Sequence, residues 1–262
     1  MLPKGMTENM KTYRTSEVAA IIGVHPNTVR LYEKIGFISP PDRLSNGYRS
    51  YSELHISQMR LARTAMHMEV LQNGLRKKAV EIARLSALLD FDAATKAAEE
   101  YSSMIDKEIF RARSAISSVE KILGRSIACS DTLLTRKQAA AQLGITSDTL
   151  RNWEMNGLVK IKRMQNGYRV YNAADMEKLT VIRTLRCANY SLSAILRLMN
   201  NLSADMELSV SDVLNTPSSD EEIISVCDRL LEALAVAKED ACSILSQLIQ
   251  IKKQTLHLNT NL

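Results

Sequence analysis

The feature that most constrains this chain is that it repeats itself. The segment from Gly23 to Gly36 (GVHPNTVRLYEKIG) aligns with Gly144 to Gly157 (GITSDTLRNWEMNG) at an offset of 121, and the Gly, Thr, Arg, Glu and Gly positions coincide. Further on, Arg43 to Tyr51 (RLSNGYRSY) aligns with Arg163 to Tyr171 (RMQNGYRVY) at an offset of 120, so one loop residue has been lost between the two blocks. A period of about 120 residues is too long for a solenoid unit and has the size of a duplicated domain. A chain of 262 residues has room for both copies and for connecting helices.

Each copy reads as two short helices, a hairpin and a further helix. In the second copy Thr135 is a good N-cap and Gln138 completes a capping box. Residues 138–143 form a first helix, Gly144 suits the turn that ends it, and Thr146 caps a second helix through Trp153. In the first copy Pro26 falls at the first helical position, where its missing N–H costs nothing, with His25 at the N-cap. Two such helices around a Gly-containing turn make a helix-turn-helix. Asn46-Gly47 and Asn166-Gly167 predict tight hairpins of type I′, each followed by a Tyr-Arg-x-Tyr alternation. A helix-turn-helix followed by a basic hairpin is a winged helix. Helical spacing resumes over 52–67 and 172–187, with Met59, Leu61, Leu179 and Ile182 facing inward.

Two long helical stretches follow the copies. In 220–257, Ile223, Cys227, Leu230, Leu234, Ala237, Ala241, Ile244, Leu248 and Ile251 recur in alternating steps of 3 and 4, the spacing of a coiled-coil seam. Ile105, Ile109, Ala112, Ile116, Val119 and Leu123 repeat the pattern in a helix over about 92–123, preceded by a separate helix through Leu75, Ala79, Ile82 and Leu85. Either seam helix would run roughly 45–60 Å and must pair to cover its stripe. The expected fold class is mainly α: two winged helix-turn-helix domains joined by long antiparallel coiled-coil helices. The expected domains are 10–75, a helical linker 76–131, 132–203, and a linker with terminal helix 204–262. Nine Gly, 5 Pro and 5% aromatic residues fit that helical reading.

The net charge of +5 is too small to argue from until it is placed. Residues 1–75 carry 9 basic and 6 acidic side chains, residues 76–131 carry 10 and 9, residues 132–203 carry 11 and 4, and residues 204–262 carry 4 and 10. The positive charge therefore sits on the winged-helix copies and is masked by an acidic final stretch. Lys160, Lys162, Arg163 and Arg169 crowd the second wing and Arg43 and Arg49 the first, as phosphate contact requires. Four cysteines lie far apart, and His25, His55, His67 and His257 form no metal or catalytic array. No cofactor, metal or enzymatic activity is expected, and no apolar run approaches membrane length. The start of the chain lacks the apolar core of a secretory signal, so a cytoplasmic location with reduced thiols is expected.

These residues resemble the DNA-binding domain of the mercury-resistance regulator (MerR) family of bacterial transcription factors. Arg30-Leu31-Tyr32-Glu33 with Gly36, and Arg151-Asn152-Trp153-Glu154 with Gly157, carry the first part of the family pattern. Tyr48-Arg49-Ser50-Tyr51 and Tyr168-Arg169-Val170-Tyr171 carry the second. The resemblance implies that Arg30 and Arg151 enter the major groove and that Arg49 and Arg169 reach phosphate and the minor groove. It places His25, Asn27 and Thr28, with Ser147, Asp148 and Thr149, nearest the bases. Tyr32 and Trp153 take the aromatic position beside the phosphate backbone, with a core role as the alternative. Asp148 is a departure, since a carboxylate is repelled by phosphate unless it reads a cytosine amino group, so the copies should not prefer identical half-sites.

Two DNA-binding domains in one chain is the larger departure, because the family pairs two chains through an antiparallel coiled coil. A covalent pseudo-dimer is the preferred expectation and a true homodimer with four winged helices its rival. The implied mechanism is binding of a promoter near-palindrome, then bending or untwisting it for RNA polymerase; repression at an ordinary promoter is equally compatible. The family's cysteine-based sensing site is absent from the sequence, and Phe91, Tyr101, Met104 and Phe110 read either as core or as the lining of a small-molecule effector pocket. Other readings are an architectural or recombination-directionality protein, or one domain turned to protein interaction.

Overall fold

A computed structural model describes residues 11–67, 74–124, 133–161, 167, 169–203, 209–216 and 229–260. The chain divides into two compact units, one of residues 1–106 with 236–262 and the other of 107–235. Two long helices, α5 (Phe91–Leu123) and α11 (Leu230–Thr260), contribute a segment to each unit.

The first unit opens with α1 (Thr15–Ile22) and α2 (Pro26–Lys34). Glu17 accepts a hydrogen bond from the Arg14 backbone N–H at 2.6 Å, satisfying a donor at the start of α1. Gly23 ends α1 in the left-handed region, at φ 72°, and lets the chain turn into α2. His25 caps α2 as expected, its Nδ1 accepting from the Asn27 N–H at 3.2 Å. The wing pairs β1 (Asp42–Arg43) with β2 (Arg49–Ser50) in antiparallel register, and Tyr13 bridges Tyr51 beyond it.

The wing turn is not the expected type I′. Among the described non-glycine residues only Leu89 and Asn189 have positive φ, so Asn46 does not. Instead Gly47, at φ 81°, closes a three-residue loop, with its N–H on Leu44 O at 2.8 Å and Leu44 N–H on Tyr48 O at 2.8 Å. That is a type I turn with a glycine bulge. The Asn46 side chain accepts from the Tyr48 N–H at 3.1 Å, holding the asparagine in this conformation without a left-handed backbone.

Helices α3 (Glu53–His67) and α4 (Leu75–Ala87) complete the module. Val18, Ala19, Val29, Ile38, Tyr51, Ile56 and Met59 form one core cluster, and Phe37, Ala62 and Ala83 another, with Tyr32 packed against both. The inward positions Met59, Leu61, Leu75, Ala79 and Ile82 are buried, whereas Leu85 is half-buried. Within this unit the beginning of α5 runs antiparallel to the later part of α11. Asp92 pairs with Lys252, and Asp106 with Lys238 at 2.6 Å, so one helix rises in number as the other falls. Ala237, Ala241, Ile244, Leu248 and Ile251 are buried, as a seam requires.

The second unit repeats the module. The β3 strand (Leu134–Thr135) pairs with β4 (Val170–Tyr171), while α6 (Arg136–Leu143) and α7 (Ser147–Met155) form the helix-turn-helix. Thr135 and Gln138 make the expected capping box, and Thr146 Oγ1 accepts from Thr149 N–H at 3.0 Å to cap α7. Helices α8 (Ala173–Cys187), α9 (Leu192–Ser203) and α10 (Val210–Asn215) follow. Leu179 and Ile182 are buried, as are Ala112, Ile116 and Val119 of α5 and Leu230 and Leu234 of α11. The expected start of the final helix at 220, with Ile223 and Cys227, lies outside the described residues, as does most of the second wing loop.

Candidate nucleic-acid interface

The second helix of each helix-turn-helix turns one stripe outward. On α2, Asn27, Arg30, Leu31 and Lys34 follow the i, i+3, i+4, i+7 spacing of a single helical face, and all four are exposed. Arg30 Nη1 donates to Asn27 Oδ1 at 2.8 Å, so the amide fixes the guanidinium on that face. On α7 the same face carries Asp148, Arg151, Asn152 and Met155, again all exposed. His25 and Ser147 are exposed at the helix starts, while Thr28 and Thr149 are half-buried.

The inward faces explain the shape of the site. Val29 and Leu150 are buried. Tyr32 is half-buried, edge-on to Phe37 with ring centroids 5.4 Å apart. Trp153 is 5% exposed, and its ring belongs to the core of the second module.

The wing arginines are held by the recognition helices. In the first module Arg49 Nε donates to Glu33 Oε2 at 2.6 Å. In the second, the Glu154 side chain, 5% exposed, receives three donors: Arg136 Nη2 at 2.8 Å, Arg169 Nε at 3.0 Å, and the Tyr171 hydroxyl. Burial, reinforced by the Glu154 carboxylate, pushes the Tyr171 phenol up to about 12, so it remains a donor at neutral pH. A carboxylate near the end of the recognition helix thus anchors the wing to it in both modules. These anchors were not singled out from the sequence, although the coincidence of Glu33 with Glu154 in the repeat is the signal that finds them. Both arginine side chains remain about one third exposed.

The loop of the first wing is exposed. Tyr48 is 71% exposed, Arg43 is exposed with Nη1 on Gly47 O at 3.3 Å, and Lys160 is exposed. Lys162, Arg163 and Tyr168 lie outside the described residues. A further cation, Arg63 on α3, donates from Nη1 to Ile22 O and Gly23 O, both at 3.2 Å, bracing the turn between α1 and α2. Its counterpart in the repeat is Arg183, whose Nη2 lies 3.6 Å from the position a Cβ on Gly144 would take. Phe91 and Tyr101 are buried core, Met104 is half-buried, and Phe110 is exposed. Among the described residues there is no cluster of metal-ligating side chains and no helix long and apolar enough to cross a membrane.

Two family models match the chain, and they match the two modules. The MerR family regulatory protein model covers residues 14–51, and the MerR HTH family regulatory protein model covers 134–202. Both modules belong to the MerR family. The MerR-type duplication is therefore a duplication of the family's helix-turn-helix unit. The HTH-type transcriptional regulator CueR of Escherichia coli is 42% identical over 50 residues, 19% of this chain and 37% of that protein. The mercuric resistance operon regulatory protein of Bacillus cereus is 29% identical over 113 residues, 42% of this chain and 80% of that protein. The HTH-type transcriptional regulator ZntR homolog of Haemophilus influenzae is 28% identical over 93 residues, 35% of this chain and 62% of that protein. The chain thus spans little more than a third of CueR. No solved structure matches it.

Proposed function

We propose that this protein is a sequence-specific, non-enzymatic DNA-binding regulator of transcription that acts in the bacterial cytoplasm. The observation that carries the reading is the pair of exposed arginine-bearing stripes, on Arg30 and Arg151, each beside a wing anchored to its helix. In this reading each stripe enters a major groove. His25, Asn27, Thr28, Ser147, Asp148 and Thr149 lie nearest the bases, and Arg43, Tyr48, Arg49, Lys160, Lys162, Arg163, Tyr168 and Arg169 line the phosphates. Tyr32 and Trp153 act from beneath, by fixing the helices.

The target is a promoter near-palindrome whose centre is bent or untwisted for RNA polymerase, with phosphate contacts at its two ends offsetting the deformation. One chain supplies both modules as a pseudo-dimer. Footprinting of purified protein on genomic promoter fragments, with transcription run in parallel, tests the function. Protection confined to recombination or anchoring sites, with unchanged transcription, overturns it in favour of an architectural protein. Light scattering tests the assembly: a DNA-competent monomer is expected, and an obligate dimer rejects the pseudo-dimer.

A further inference from the structure

The two recognition helices are alike where they face inward and unlike where they face out. At inward positions the repeat pairs Val29 with Leu150, Tyr32 with Trp153 and Glu33 with Glu154, each identical or close in chemistry. On the exposed stripe it pairs Asn27 with Asp148, Arg30 with Arg151, Leu31 with Asn152 and Lys34 with Met155, and only the arginine is shared. Leu31 is 49% and Met155 76% accessible, so both side chains are open to a ligand. Within these helices the divergence is greatest on the solvent-facing stripe, which is what different ligands, not different folds, would impose.

Resting on the DNA-binding reading above, we propose that the two modules read different base sequences, so that the chain recognises a directional duplex rather than a perfect inverted repeat. The chemistry of each stripe sets its half-site. In the first module Arg30, braced by Asn27 at 2.8 Å, presents a fixed fork suited to guanine O6 and N7. Leu31 beside it offers only an apolar surface, suited to a thymine methyl, and Lys34 adds a positive charge at the end of the stripe. In the second module Asp148 replaces the bracing amide with a carboxylate, which accepts from a cytosine amino group and disfavours the acceptor edges of guanine. Asn152 in place of Leu31 supplies the bidentate donor and acceptor that match adenine, and Met155 removes the terminal charge. Because both modules belong to one polypeptide, reversing the site relative to the chain exchanges both codes at once.

Selection of bound sequences from a random double-stranded DNA pool, using the full chain, tests this. The expected product has two halves that differ at the base pairs facing these stripes, and a duplex carrying either half twice binds at least tenfold more weakly. The triple replacement Asn27→Asp, Leu31→Asn, Lys34→Met copies the second stripe onto the first at three exposed positions. It should make the two selected halves alike at the base pairs facing those three positions. Circular dichroism melting checks that the variant is folded. Enrichment of a perfect inverted repeat by the unaltered chain overturns the inference while leaving DNA binding intact. Failure to enrich any duplex rejects the DNA-binding reading and this inference with it.

Discussion

Replacing Glu154 by Gln keeps the shape of the second wing anchor and removes the charge on which three donors converge. Hydrogen bonds to a charged partner contribute about 1.5–3 kcal/mol each, and a buried pair that loses one member typically costs roughly 3–5 kcal/mol. Two considerations lower the figure here. Gln retains one acceptor oxygen that can keep one of the three donors. Arg136 and Arg169 are 29% and 33% exposed and can recover water. A loss of about 2–3 kcal/mol follows. The chain supplies its own probe, because Trp153 is its only tryptophan, is buried, and precedes Glu154 directly. Urea denaturation followed by tryptophan fluorescence therefore reports on the second module. With a urea slope of about 1.5 kcal/mol per molar, the midpoint should fall by roughly 1.3–2 M. Glu33→Gln is the control. Its anchor has one arginine donor, 29% exposed, so the expected loss is about 1 kcal/mol, felt in the first module and not in the tryptophan transition. A midpoint shift below about 0.3 M for Glu154→Gln, or equal shifts of the tryptophan transition in both variants, would show that the three-donor anchor does not hold the module together.

Three other outcomes follow from the same geometry. Arg30→Ala with Arg151→Ala touches only exposed positions, so the melt should be unchanged while specific DNA affinity falls by about 1–3 kcal/mol per arginine, measured by fluorescence anisotropy. Gly144→Ala places a Cβ in the left-handed region at φ 64°, with Arg183 Nη2 3.6 Å away, and should cost roughly 1–2 kcal/mol in the tryptophan-monitored melt. His55 is buried with Nδ1 accepting from the Ser52 N–H, and burial lowers its pKa. Below about pH 6.5 the unfolded chain takes up a proton that the folded module resists. Stability should therefore fall as the pH drops from about 6.5 toward the lower folded value and be insensitive above it, with His55→Asn flattening the slope in denaturation followed by circular dichroism.

Most of the architecture was legible because it is written in short-range patterns. The repeat, the caps at His25, Thr135 and Thr146, and the alternating seam through Leu230 to Ile251 depend on spacing along one helix or across one turn, and the buried positions agree with them. The arginine stripe was legible for the same reason. The turn at Asn46 was not, because an Asn-Gly pair permits two loop geometries and the Asn46 side chain selects one by reaching the Tyr48 N–H.

What the sequence by itself determined is that two modules of one kind recur, that each carries basic side chains, and that long apolar seams must be covered. Only the tertiary structure decided which of those basic groups stand free. Arg30, braced by its helix neighbour Asn27, and Arg151 remain on an open helical face, whereas Arg49 and Arg169 each commit a nitrogen across the fold to Glu33 or Glu154, 16 and 15 residues away in sequence. Trp153 went to the core for a related reason: a large ring at that position gains more from burial than from an exposed place. Charge and periodicity fix which residues are available along the chain. Partners that meet only when helix and wing are folded together fix which of them can reach a ligand.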